Sequence, residues 1–236
     1  MTANKVLLIG DEPNFLRSMR RNLVGRGYDV SVALDDQDAY LMASSFNPDL
    51  FVLNLDFTTI TVDGLVICAQ LRKLSLSPII VLSAIGSEEV KIKALDIGAD
   101  DYLVLPFGIE EFLARVRASI RRWDLMNNGR MDQDRLIINR DLLIDTEARQ
   151  VRLRGEPIKL TPREYDILVY LARRAGKVVT HSELLKGVWG NVYGEEREYL
   201  RVFISQLRHK IDDDPMRSAY ILTEPGIGYR FITEYQ

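Results

Sequence analysis

The sequence predicts an α/β chain of two domains: a doubly wound, five-stranded parallel sheet, then a smaller domain of short strands and three helices. Three observations lead there. Short apolar runs alternate with helical patterns five times within residues 1–123. Residues 124–135 are polar, carry Gly129 and lack apolar periodicity. Beyond residue 135 come short strands, a strongly capped helix and a terminal glycine-rich hairpin. A chain of 236 residues has room for two domains of the usual ~100–150 residues.

The first strand is Val6-Leu7-Leu8-Ile9, and the helix after it, Pro13 to Arg26, aligns Phe15, Met19 and Leu23 on one face. Strands follow at Tyr28 to Ala33, Leu50 to Leu53, Ile79 to Ser83 and Tyr102 to Val104. Helices follow at Asp36 to Phe46, Gly64 to Lys73, Glu88 to Ile97 and Ile109 to Arg122. Strands that are apolar throughout need cover on both faces, as in a parallel sheet wrapped by helices. In such a fold the reactive groups gather at the carboxyl ends of the strands. Residues 124–135 read as a linker.

Past the linker, Ile137 to Ile144, Val151 to Leu153 and Ile158 to Leu160 read as strands, with Gly155 in a turn. Thr161-Pro162-Arg163-Glu164 combines an N-cap, a first-turn proline and a capping-box glutamate. That helix reaches Arg174 and stops at Gly176; two more are expected at Ser182 to Trp189 and Glu196 to Ile211. Tyr220 to Thr223 and Tyr229 to Ile232 flank Pro225-Gly226-Ile227-Gly228 as a hairpin. A small sheet, three helices and a hairpin make a winged helix-turn-helix, residues 136–236.

The net charge is −3. Residues 1–123 carry 13 basic and 16 acidic side chains, and residues 124–236 carry 18 of each. A nucleic-acid surface must therefore be a local patch. The third helix of the second domain supplies one. Leu200, Ile204, Leu207 and Ile211 form a buried stripe, which turns Arg201, Ser205, Gln206, Arg208 and His209 outward. Alone, such a helix fits an ordinary solvated face. Its place after a second helix and before a glycine-rich wing makes it a reading element for base edges and phosphates. With Arg197, Thr223 and Arg230 these are the candidate DNA-binding residues, and double-stranded DNA is the expected partner.

The single cysteine, Cys68, excludes a disulfide scaffold and reads as a small core residue. His181 and His209, the only histidines, do not make a metal site, and no metal or cofactor is expected. Met1 to Lys5 lacks a signal core, and no run approaches the ~18 apolar residues of a membrane span, so a cytoplasmic chain with no membrane partner is expected.

Across both domains the motifs resemble the OmpR/PhoB family of response regulators. In the first domain they are Asp11-Glu12-Pro13, Pro48-Asp49-Leu50, Pro78 to Ser83, Gly98 to Leu103 and Pro106-Phe107. In the second they are Leu160 to Tyr165, His181 to Leu185, Val188-Trp189-Gly190 and Gly226 to Phe231. Tyr199 to Val202 and Leu222-Thr223-Glu224 look closest to the KdpE branch. The resemblance implies a receiver over residues 1–123, a DNA-binding output domain, and a sensor kinase and RNA polymerase as protein partners.

The resemblance also implies a phosphorylation pocket, and here the chain departs from the family. A typical receiver has two acidic residues after its first strand; this chain has Gly10 and Asp11. The acceptor position holds Asn54, the serine or threonine position keeps Ser83, and the lysine position holds Leu105. Ser83 and Tyr102 match the family's switch pair. An amide offers no nucleophile for a phosphoryl group, Mg²⁺ prefers carboxylate oxygens, and leucine cannot neutralise a phosphoryl oxygen. The expected function is therefore a DNA-binding transcription regulator whose receiver is independent of aspartyl phosphorylation. Two other readings stay open: phosphorylation at a substitute carboxylate, Asp56 or Asp11, and a protein-contact module that pairs with a typical regulator. An enzyme is not expected, because no nucleophile–base pair or phosphate-binding glycine loop occurs. By the same resemblance receivers pair through the fourth helix, fifth strand and fifth helix, here Lys91, Asp96, Asp100, Asp101, Glu111, Arg115 and Arg117. Mixed signs on one face suit a self-complementary two-fold contact, so a homodimer is expected.

Overall fold

The computed structural model describes residues 3–56, 63–127, 136–190, 193, 196–212 and 214–232. They divide into two compact units, Met1–Met126 and Asn127–Gln236. In the first, β1 (Lys5–Ile9), β2 (Asp29–Ala33), β3 (Leu50–Asn54), β4 (Ile79–Ser83) and β5 (Asp101–Val104) form a parallel sheet in the order β2-β1-β3-β4-β5. The helices are α1 (Pro13–Val24), α2 (Asp36–Ser45), α3 (Gly64–Leu74), α4 (Glu88–Asp96) and α5 (Ile109–Asn127). All five residues of β3 and of β4 are buried. Val6, Leu8, Val52, Ile80 and Leu82 pack with Leu16, Met19 and Leu23 of α1 and with Phe112, Leu113, Val116 and Ile120 of α5. The alternate residues Leu7, Ile9, Phe51, Leu53 and Val81 are equally buried and point to the opposite face. Each such side chain contributes roughly 1.5–3 kcal/mol on leaving water.

Two buried ion pairs clamp β5. Asp100 accepts from Arg72 at 2.5 Å and from the Ile79 N–H at 2.9 Å. Arg72 also donates to the carbonyls of Ser75, Ser77 and Gly98. A Cβ on Gly98 would meet the Arg72 side chain at 2.6 Å, and φ there is +116°, so glycine is needed for both space and conformation. Asp101 pairs with Arg115 at 3.0 Å, and Arg115 reaches Glu111 at 2.9 Å. This corrects the expected pairing face. Asp100, Asp101 and Arg115 are 1%, 0% and 7% exposed, interior groups rather than surface ones. Asp96, Glu111 and Arg117 are exposed, and Lys91 is half-buried.

α5 outlasts its expected end at Arg122, so the first residues assigned to the linker are helical. The extension is held by Trp123, whose indole donates to Asp49 at 3.2 Å, and by Asp124, which accepts from Asn4 at 3.1 Å. The rest of the expected linker, 128–135, lies outside the described residues.

In the second unit β6 (Leu136–Asn139), β7 (Leu142–Asp145), β8 (Gln150–Leu153) and β9 (Glu156–Ile158) form an antiparallel sheet. The single strand expected over Ile137 to Ile144 is thus a hairpin, reversed at Arg140 with φ +52°. α6 (Pro162–Ala172) starts with the expected capping box, and α7 (His181–Trp189) starts with a further one, on Thr180 and Glu183. α8 (Arg197–Ile211) follows. β10 (Val178–Thr180), a strand the local pattern does not announce, pairs with β12 (Gly228–Phe231), and β12 with β11 (Ile221–Glu224). This is the winged helix-turn-helix.

Removing one member of a buried pair leaves an uncompensated charge. Arg72→Ala and Arg115→Ala should each cost about 3–5 kcal/mol in urea unfolding, whereas exposed Arg117→Ala should stay within about 0.5 kcal/mol.

Candidate regulatory pocket and nucleic-acid interface

The carboxyl ends of β1, β3, β4 and β5 bring one set of sequence-distant residues to one edge of the sheet. Gly10 and Asp11 follow β1, Asn54 ends β3 with Asp56 two residues on, Ser83 ends β4, and Leu105 follows β5. Tyr102 lies within β5 and is 3% exposed. Gly10 is packed behind Asn54: a Cβ there would stand 3.2 Å from the Asn54 Cβ and 3.4 Å from Leu16. The Leu105 N–H donates to the Ser83 carbonyl at 2.8 Å, and its side chain puts no charge into the pocket.

Asp56 is tied into the pocket by hydrogen bonds from Ser83, the last residue of β4, and Ala84, the residue after it. Its Oδ1 accepts from the Ser83 hydroxyl at 2.7 Å and its Oδ2 from the Ala84 N–H at 2.5 Å. Its own N–H donates to Asn54 Oδ1 at 3.1 Å. Ser83 Oγ accepts from the Ile85 N–H at 3.1 Å, and the Ile85 carbonyl accepts from the Tyr102 hydroxyl at 2.7 Å. Burial raises the Tyr102 pKa, so the phenol stays a donor. Glu12, next to Asp11, is spent elsewhere: it caps α1 by accepting from the N–H groups of Asn14 and Phe15. Beside the retained Asp11, the edge is poorer in the carboxylate oxygens that Mg²⁺ prefers. Gly10 and Asn54 supply no carboxylate, and the carboxylates of Glu12 and Asp56 are taken up by protein donors.

Sequence reasoning names the pocket's side chains but misses the Ala84 and Ile85 main-chain groups. A backbone N–H carries no sequence signal, and only the path of the loop aims it.

In the second unit, α8 buries a wider arc than the expected stripe: Tyr199, Val202 and Phe203 join Leu200, Ile204, Leu207 and Ile211. Arg197, Arg201, Ser205 and His209 are exposed, and Gln206 is half-buried. A cleft of about 410 Å³ lies between α8 and the wing, lined by Arg197, Arg201, Ser205, Arg208, His209 and Thr223 together with His181 and Met216. Burial, then Arg197 and Arg201, lower the His181 pKa, so its ring is neutral near pH 7 and adds no charge. Two expected contacts are already engaged within the protein. Arg208 donates to the Ile221 carbonyl at 2.7 Å and to Thr223 Oγ1 at 2.8 Å, clipping α8 to β11. Arg230 pairs with Glu224 at 2.6 Å. By exposure, the arginines lining the cleft that face solvent among the described residues are Arg197 and Arg201.

Comparison with known proteins follows the same division. The response regulator receiver domain matches residues 6–117, and the C-terminal domain of transcriptional regulatory proteins matches residues 155–231. The transcriptional regulatory protein KdpE of Mycobacterium tuberculosis is 43% identical over 227 residues, 96% of this chain and 98% of the relative. The KDP operon transcriptional regulatory protein KdpE of Escherichia coli is 41% identical over the same length. Among solved structures, two mutants of RitR, in which one cysteine is replaced by serine or by aspartate, are each 29% identical. They cover 98% of this chain and 100% of their own, with TM-scores of 0.77 for the serine mutant and 0.75 for the aspartate mutant.

Arg208 and Arg201 should separate in thermal unfolding. Arg208→Ala breaks the clip between helix and wing and should cost about 1–3 kcal/mol. Arg201→Ala, at an exposed position, should leave stability within about 0.5 kcal/mol.

Proposed function

We propose that this chain, which belongs to the OmpR/PhoB-type response regulators, is a sequence-specific DNA-binding transcription regulator whose receiver works without aspartyl phosphorylation. The observation that carries the reading is the state of the pocket. The acceptor position is a buried amide, Asn54, and the two donors at the end of β4 are already bonded to Asp56. A phosphoryl group would have no nucleophile at position 54, no ammonium at position 105, and no vacant donor at Ser83 or Ala84. Attack by Asp56 itself would use an oxygen that already accepts a hydrogen bond from Ser83 or Ala84, which lowers its nucleophilicity.

In the output domain, Arg201 and Ser205 on the exposed face of α8 are the base-reading candidates. Arg197 and His209 flank them, and the wing carries Thr223. Arg208 and Arg230 act by holding the wing. Pairing of two copies rests on Lys91, Asp96, Glu111 and Arg117, since the other expected members are interior. In this reading the protein partners are a second copy and RNA polymerase, with no phosphate from a sensor kinase required. Two copies on one duplex would set the spacing of half-sites.

Acetyl phosphate with Mg²⁺ is expected neither to label the purified full-length chain nor to change its affinity for duplexes that it enriches from a random library. Asn54→Asp alone is expected not to restore labelling. Base-labile labelling mapped to Asp56 or Asp11 would instead establish a substitute acceptor. On the same duplexes Arg201→Ala should cost about 1–3 kcal/mol and relax sequence preference at one position. Failure of the wild-type chain to enrich any duplex would favour a protein-contact module.

A further inference from the structure

We propose that the Asp56 carboxylate is the resident anion of this pocket, a positioning group that holds the loop between β4 and α4 as a transferred phosphoryl group would. The proposal rests on the reading that the receiver works without phosphorylation. A hydroxyl and the next main-chain N–H converging on one point make an anion site. Ser83 and Ala84 form one at the end of β4, and both oxygens of Asp56 fill it, at 2.7 and 2.5 Å.

The residues that depart from the receiver pattern fit this single arrangement. Asn54 accepts the Asp56 N–H at 3.1 Å and so fixes the turn that aims the carboxylate. An aspartate at position 54 would make the same bond but place a second negative charge beside Asp56 in a site of low exposure, which is unfavourable. Gly10 omits a further carboxylate from the same edge. Leu105 omits an ammonium that would compete with Ser83 and Ala84 for Asp56. The pocket thus engages an acid through its own donors, where a phosphorylatable one needs an acceptor acid, a metal-binding acid and a lysine.

The anion is also wired onward. Ser83 Oγ donates to Asp56 and accepts from the Ile85 N–H, so it serves as donor and acceptor at once. The Ile85 carbonyl receives the Tyr102 hydroxyl. Removing the carboxylate therefore releases the Ala84 N–H and takes away the acceptor that orients the Ser83 hydroxyl, on which the Ile85 N–H and, through Ile85, the partner of Tyr102 depend.

The test uses the full-length chain and a duplex enriched by the wild type from a random library. Asp56→Asn and Ser83→Ala are each expected to weaken binding by a similar factor, between about 5- and 150-fold. The double variant should lose less than the sum of the two singles, because both remove the Ser83–Asp56 hydrogen bond. Asp56→Gly should recover affinity in formate and not in chloride at equal ionic strength. Wild-type affinity in Asp56→Asn, additive losses in the double variant, or no response to formate would each overturn the proposal. Should Asp56→Asn unfold in a urea control, Ser83→Ala, which keeps the carboxylate and removes one of its two donors, carries the same comparison. Acetyl phosphate labelling run alongside separates the two claims. A labelled wild-type chain removes the phosphorylation-independent reading, while an unlabelled chain with unaffected Asp56→Asn removes only this one.

Discussion

Covering both faces of a parallel sheet is the constraint on which the receiver half of the molecule depends. β1, β3 and β4 are apolar along nearly their whole length, so helices must pack on either side and every strand must run the same way. Parallel strands end at one edge. Residues 10, 54, 83 and 105, far apart in the chain, meet there for no reason beyond the burial of Leu, Ile and Val. The buried pairs Arg72–Asp100 and Arg115–Asp101 then fix β5, and with it Tyr102, against α3 and α5. Burial of the sheet is what assembles the pocket.

Given that edge, the substitutions shift charge rather than destroy a site. A ligand shifts a two-state element only through its different interaction with the two states. A transferred phosphoryl group can come and go, whereas a carboxylate on the chain is always present. On the proposed reading, an anion supplied by Asp56 would bias the loop constitutively, and control of output would pass to the amount of protein or to another ligand. The Ser83, Ile85 and Tyr102 connections run from the anion to β5 in this chain.

Much of this is legible in the sequence, and what is not has physical causes. Strand and helix alternation, both domains and the Thr161 capping box follow from local periodicity and side-chain chemistry. The β6–β7 hairpin is hidden because Arg140 turns the chain at positive φ with no glycine or proline to mark it. Arg115 reads as a surface charge by its type, although Phe112, Val116 and Ser119 at helical spacing put it on the buried face of α5. Position outweighs charge type there. Asp56 stands out in the sequence as a pocket acid, but its direction depends on the Asn54 turn and on an amide of residue 84, neither visible in periodicity. Arg208 misleads for a similar reason: the helix pattern places it outward, and only the wing strand beside it shows that its donors are already bound.

The measurement that bears most directly on a resident anion is amide hydrogen exchange at Ala84, followed by NMR in the wild-type chain and in Asp56→Asn. Ala84 is an exposed residue at the start of a loop, a place where an N–H ordinarily exchanges freely. If the Asp56 carboxylate holds it, this amide exchanges slowly in the wild type and accelerates in the variant, and the Ile85 amide accelerates with it. Free exchange at Ala84 in the wild type, or protection that persists without the carboxylate, would contradict the assignment of Asp56 as the anion that holds the loop.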